Sequence, residues 1–409
     1  MSARPVIPLV PQERAAAQPA SRSATGISLS SLPPLSLYVH VPWCVRKCPY
    51  CDFNSHELGT DLPERRYLDA LQADLQQALP DIWGRSVISV FIGGGTPSLL
   101  SAAAVDEMLA MFRSHLNLLP DAEITLEANP GTAEAGRFSA YAASGVNRLS
   151  LGVQSFNDQA LKALGRIHDA DQAMRAIEMA HQAFSRINLD VMFALPDQTV
   201  QGCLDDVERA LSFDTEHLSF YNLTLEPNTV FAKYPPAVPD DDTAALMQEE
   251  VAGRLEAAGF QRYEVSAFAR PGARCLHNLN YWTFGDYLGI GPGAHGKLSF
   301  HDGIVRHAKL KNPQRWMDTA LALNGTHLAQ SGPVEKTDLP FEFMLNALRL
   351  KDGVSAAWFA ERTGLPLSAL NPVIDKLVRQ GLFDTDPTRL RVTETGWRYL
   401  NTVLTEFLP

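Results

Sequence analysis

Tyr38-Val39-His40-Val41-Pro42-Trp43-Cys44-Val45-Arg46-Lys47-Cys48-Pro49-Tyr50-Cys51 joins a short apolar strand to three cysteines spaced CxxxCxxC, and no fourth cysteine follows. A cubane iron–sulfur cluster takes one thiolate per iron, so three ligands on one loop leave one iron open. An open position separates a reactive metal site from a closed structural one. It suits the amino and carboxylate groups of S-adenosylmethionine. Zinc is the alternative, since Cys-x-x-Cys also serves zinc. Zinc needs a fourth ligand, and His56 is the only candidate nearby; Cys203 stands alone and Cys275 is accompanied only by His277. A redox disulfide would leave one thiol over. The spacing favours the cluster.

Outward from this loop, short β-branched runs alternate with segments of helical spacing. Strands are expected at Leu37–Val41, Val87–Ile92, Ile124–Glu127, Arg148–Val153, Ile187–Phe193 and His217–Leu223, each followed by a helix. Such β-then-α repetition builds a parallel sheet, because each crossover helix returns the chain for the next strand. The fold class is therefore α/β, a partial (β/α)6 TIM-like barrel. Chemistry on such folds sits at the carboxyl ends of the strands. The cysteine loop, Gly93-Gly94-Gly95-Thr96, Glu127, Gln154 and Tyr221-Asn222 should then share one face.

The expected domains are a disordered N-terminal tail (1–35), the barrel (36–300), a connecting segment (301–335) and a C-terminal winged-helix-like domain (336–409). The tail is rich in Ala, Ser, Pro and Arg without apolar periodicity. Residues 277–296 read as loops closing over the barrel mouth. Three helices near 341–350, 355–363 and 367–380, then a β-ribbon, give the last domain its winged-helix pattern. That domain carries nine Lys/Arg and nine Asp/Glu, and the chain of 409 residues has a net charge of −11. Neither balance offers the basic surface that nucleic-acid binding requires. No run reaches the roughly 20 apolar residues of a membrane span. Five cysteines, three of them clustered, make no disulfide framework and point to a reducing, cytoplasmic compartment.

The glycine run ends one strand and precedes a helix. Its amides can form an anion-binding nest, or the run is only a tight turn. Glu127 ends an apolar strand, where it can pair with a ligand ammonium, balance a sulfonium, or bridge to a rim arginine. Gln154 holds the matching position on the next strand. Asp190 lies in a mostly apolar run and, if buried, needs a partner such as Arg166 or a ribose hydroxyl.

With these residues assembled, the chain from Tyr38 to the C-terminus resembles the radical S-adenosylmethionine proteins of the oxygen-independent coproporphyrinogen III oxidase-like group. The motifs that carry this are Tyr38-Val39-His40-Val41-Pro42-Trp43-Cys44, the cysteine triad, Gly93–Pro97, Glu127-Ala128-Asn129-Pro130, Gly152–Phe156 and Asp190 before Leu195-Pro196. The resemblance implies that Cys44, Cys48 and Cys51 bind a 4Fe-4S cluster, and that Tyr38, Tyr50, Gly94 and Glu127 contact S-adenosylmethionine. It matches Gly95, Thr96, Gln154, Arg166 and Asp190 to positions that hold a second S-adenosylmethionine in the dehydrogenase. The dehydrogenase pattern has a fourth cysteine where this chain has Phe53. The run His277-Asn278-x-x-Tyr281-Trp282 instead resembles HemW-type heme chaperones, which bind heme and pass it to respiratory acceptor proteins. That resemblance implies heme as cargo, His277 as candidate axial ligand, no decarboxylating activity, and room for transient membrane association. Radical decarboxylation of coproporphyrinogen III to protoporphyrinogen IX is the alternative, and His277 can equally be a histidine satisfied by hydrogen bonds.

Overall fold

The structure is a computed structural model that describes residues 26–59, 61–132 and 135–409. Its main sheet contains β1 (Leu35–Val41), β2 (Ser86–Gly94), β3 (Asn117–Ala128), β4 (Arg148–Gln154), β5 (Ile187–Phe193) and β6 (His217–Asn222), parallel neighbours in chain order. Between them run α1 (Glu64–Ile82), α2 (Ala102–His115), α3 (Ala135–Ser144), α4 (Asp158–Ala163), α5 (Ala170–Ala183) and α6 (Val200–Leu211). All six expected strands are present within two residues of their limits, apart from a start seven residues earlier at β3. Leu37, Val39, Ile92, Leu126, Leu151, Leu189 and Leu218 are buried against these helices and form one core.

The sheet does not stop at six strands. On one side β6 pairs with Ala267–Ala269, antiparallel, and that strand pairs with Gln261–Arg262. On the other, β1 pairs in parallel with Asp286–Ile290, followed by antiparallel His295–Phe300, Gly303–Lys309 and Leu328–Pro333. Residues 277–296, expected as loops, thus carry a seventh parallel strand and, at Leu276–Trp282, a helix. Gly289 and Gly291 hid the strand, because a Cβ at either would meet another backbone: His295 O at 1.9 Å or His40 O at 2.5 Å. Small residues were needed there for contact, not for a flexible loop. The stretch 301–335, expected as a connection, contributes two of the antiparallel strands and the helix Pro313–Leu321.

The C-terminal region holds the helices Leu339–Ala347, Ala357–Thr363 and Asn371–Arg379. Its expected ribbon is reduced to the two-residue pair Val354–Ser355 with Arg389–Leu390 and a bridge between Phe383 and Val392. Phe343, Phe359, Leu377 and Val403 pack in a core shared with Tyr263, Phe284 and Ile304 of the preceding region. Residues 1–25 of the expected disordered tail lie outside the described residues. Ile27 and Leu29 do not follow that expectation: both are buried in this second core, where apolar contact outweighs the polar composition around them.

Candidate functional site

The cysteine loop leaves β1 and is stitched to the glycine turn that leaves β2. Gly95 N–H donates to Val41 O at 2.7 Å and Thr96 N–H to Trp43 O at 2.7 Å. Gly94 N–H donates to Glu127 Oε2 at 3.1 Å. These three amides are therefore spent on protein partners, and the anion nest expected of the glycine run is not formed. Glycine serves close approach instead: Gly94 has φ +112°, and a Cβ there would lie 2.7 Å from the His40 ring. His40 in turn stands between the Tyr38 hydroxyl (2.7 Å) and Asn54 O (2.9 Å), bracing the cysteine loop from below.

Above this base lies a cavity of about 390 Å3. Cys44, Cys48, Cys51, Tyr50, Gly94, Gly95, Thr96, Glu127, Gln154, Arg166, Asp190 and Tyr221-Asn222 all line it, as does Phe53. The carboxyl ends of β1 to β6 converge on one face here. Two residues expected at the site do not line it. Tyr38 faces the supporting layer and stacks on Phe91. His277 is buried on its helix, with its ring 4.2 Å from that of Phe91 and parallel to it within 9°. Its Nδ1 lies 3.2 Å from Glu123 Oε1 and 3.2 Å from Cys275 Sγ. The histidine is thus satisfied by hydrogen bonds and ring stacking, and no face of it is presented to the cavity. Burial opposes its charge, but Cys275 and Glu123 outweigh that and lift it to about 9.

Glu127 pairs with no basic side chain among the described residues, so of its three alternatives the bridge to a rim arginine is not made there. Burial, reinforced by Asp190, pushes its carboxyl up to about 7 against the Gly94 hydrogen bond. Asp190 accepts from Ser150 Oγ at 2.7 Å and Asn188 Nδ2 at 2.9 Å rather than from Arg166, and burial raises it too. Arg166 donates to Gly152 O at 2.8 Å and to Cys48 Sγ at 3.7 Å, while its buried Nε has no partner. Gln154 closes β4 with φ +70°, a conformation that costs a non-glycine residue about 1–3 kcal/mol.

That strained turn is held by a residue the sequence reading missed. Asp206 on α6 accepts from Ser155 Oγ at 2.8 Å and from Phe156 N–H at 2.7 Å. Its signal was present: Asp206 shares the buried face of α6 with Cys203, Val207 and Ala210, where a carboxylate needs a partner. Asn54, also missed, donates to Pro292 O and Lys311 O at 2.9 Å each and ties the cysteine loop to the far strands. Nothing local in the sequence announces that link.

Residues 38–210 match the Radical SAM superfamily and residues 334–399 the HemN C-terminal domain. The heme chaperone HemW of Escherichia coli (strain K12) is 48% identical over 379 residues, which cover 92% of this chain and 99% of that protein. The chain belongs to the HemW family. HemW of Haemophilus influenzae is 47% identical, covering 93% of this chain and 99% of its own. The mouse mitochondrial radical S-adenosyl methionine domain-containing protein 1 is 38% identical, covering 91% and 87%. The solved structure of coproporphyrinogen III oxidase (HemN) from Escherichia coli, a radical SAM enzyme, aligns with a TM-score of 0.78 at 24% identity, over 92% of this chain and 90% of that one. It shows the shared fold.

Membership in the superfamily implies a 4Fe-4S cluster and S-adenosylmethionine, and the HemW-family site here fits both. Three free thiols line one cavity. Burial raises the Cys44 and Cys51 thiols, and neighbouring thiolates raise them further, so a cationic cluster would relieve the repulsion. Glu127 and Asp190, neither in an ion pair among the described residues, beside an arginine with an orphaned nitrogen, suit a ligand that carries both a sulfonium and an amino acid group.

Proposed function

We propose that this protein carries heme: it binds heme, keeps a 4Fe-4S cluster and S-adenosylmethionine in the adjacent cavity, and hands the heme to acceptor proteins. The observation that carries this reading is the 48% identity with the Escherichia coli heme chaperone HemW across nearly the whole of both chains. Phe53, at the position of the dehydrogenase's fourth cysteine, supports it. In this reading the acceptors are respiratory proteins, the compartment is the cytoplasm, and membrane contact is transient. No helix among the described residues is long and apolar enough to cross a membrane.

Cys44, Cys48 and Cys51 would ligate the cluster, which when bound supplies one-electron chemistry at its open iron. Arg166 offsets the charge of the Cys48 thiolate. Glu127 and Asp190 attract the cationic groups of S-adenosylmethionine, and Gly94 and Gly95 let it approach the backbone. Thr96, Gln154 and Tyr50 complete the wall. Tyr38 acts through His40 as a positioning residue. His277, occupied by Glu123 and Cys275, holds its helix in the barrel rather than serving as heme ligand.

Anaerobic reconstitution followed by parallel assays tests the reading. Hemin titration should give a saturable Soret band, and incubation with coproporphyrinogen III, S-adenosylmethionine and a strong reductant should give no protoporphyrinogen. Failure to bind hemin, or stoichiometric decarboxylation, would overturn it.

A further inference from the structure

Two large aromatic side chains stand exposed at the lining of the cavity, among polar and charged neighbours. Phe53 is 61% exposed although it sits two residues from Cys51, and Tyr221 is 41% exposed; both line the cavity. Two large exposed rings lining one opening are the usual mark of a ligand surface. Neither ring has a packing reason for its place.

One charge on this rim is uncommitted. Arg46 lines the cavity, is exposed, and has no hydrogen bond or ion pair among the described residues. Its neighbour Lys47 is engaged, its Nζ donating to Phe53 O at 3.3 Å and Ser55 O at 3.2 Å. That clasp also fixes the backbone beneath the Phe53 ring. Asp52 and Glu226 line the cavity too, so the mouth is not uniformly positive. An anionic edge would meet attraction at Arg46 and repulsion at Asp52 and Glu226.

From this juxtaposition we infer that the rim formed by Phe53 and Tyr221, with Arg46 at its edge, is the seat of the heme. The inference rests on the carrier reading above and deepens it. The macrocycle lies with one face on Phe53 and Tyr221, and a propionate meets the Arg46 guanidinium, which can pair with a carboxylate bidentately. The cavity, at about 390 Å3, has the size of one small-molecule site. Cluster and S-adenosylmethionine claim its depth, which leaves a tetrapyrrole the mouth. A seat half open to solvent suits a carrier, because an acceptor reaches the exposed face without the carrier unfolding.

The test uses the full chain reconstituted with its cluster. Hemin, iron-free protoporphyrin IX and its dimethyl ester are titrated into wild type, Phe53→Ala and Arg46→Glu. Cluster absorbance and S-adenosylmethionine binding, expected unchanged, report that each variant is intact. Phe53→Ala should weaken hemin and protoporphyrin IX alike, by about tenfold. Arg46→Glu should weaken the free acids while leaving the dimethyl ester unaffected, because only the acids carry the charge it reads. Tight hemin binding by wild type with both variants unchanged would overturn the rim seat and leave the carrier reading standing. Wild type that binds no hemin would instead remove the carrier reading itself.

Discussion

Glu127 is the residue whose chemistry reaches furthest. Its carboxyl titrates near neutrality because burial and Asp190 disfavour its charge. A cationic ligand binds the ionised form better, so binding expels a proton. Affinity for S-adenosylmethionine should therefore fall as pH drops below about 7, approaching tenfold per unit. Calorimetric titrations between pH 5.5 and 8.5 check this, and Glu127→Gln should flatten the curve. The sign for folding is opposite. A carboxyl raised from 4.5 to about 7 in the native state loses stability as pH rises through that interval. Glu127→Gln is thus expected to bind S-adenosylmethionine less well at pH 8 and yet unfold at no lower urea concentration than wild type.

At the level of elements, two buried ionic knots fasten the added strands and helix to the repeating units. Asp74 on α1 meets Lys309 Nζ at 2.5 Å, His327 Nε2 at 3.0 Å, Trp316 Nε1 at 3.2 Å and Gly291 N–H at 3.1 Å. Burial opposes its charge, but Lys309 and His327 prevail and hold it down at about 2. Asp74→Ala leaves Lys309 buried and unpaired and should cost about 3–5 kcal/mol in urea unfolding. The second knot joins His277 to Glu123 and Cys275. With the imidazole raised from 6.5 to about 9, its contribution is complete below pH 6.5 and disappears as pH climbs through 9. Unfolding midpoints measured from pH 6 to 10 should decline over that span in wild type, and less in His277→Phe.

For the molecule as a whole, the repeating units were legible because each obeys a local rule: two-residue alternation or a continuous apolar run, then a helix that is in several units capped. Asp169 and Gln172 form a capping box at the start of α5, and Asn157 and Thr199 cap α4 and α6. The site was legible because its residues end successive strands. What escaped reading depends on partners far away in the chain. Asp286–Ile290 is a strand only because β1 offers it an edge, and Leu276–Trp282 is a helix anchored by Glu123. His277 could not be told from a ligand by sequence, because its burial is decided 154 residues away. Leu29 read as tail because its pocket belongs to the C-terminal core. Leu29→Ala should accordingly cost about 2–5 kcal/mol, read by urea denaturation, although a disordered residue would cost nothing.

The placement of β1 between β2 and Asp286–Ile290 has a consequence for biogenesis. The strand that delivers the three thiols emerges from the ribosome first, yet its second flank is encoded about 250 positions later. At synthesis rates of roughly 5–20 residues per second, that flank arrives some tens of seconds afterwards. Throughout this interval the nascent chain displays its sulfurs on a ribbon with one naked edge. Iron delivered before translation passes Ile290 would meet an unfinished scaffold, because the complete one needs the late strand.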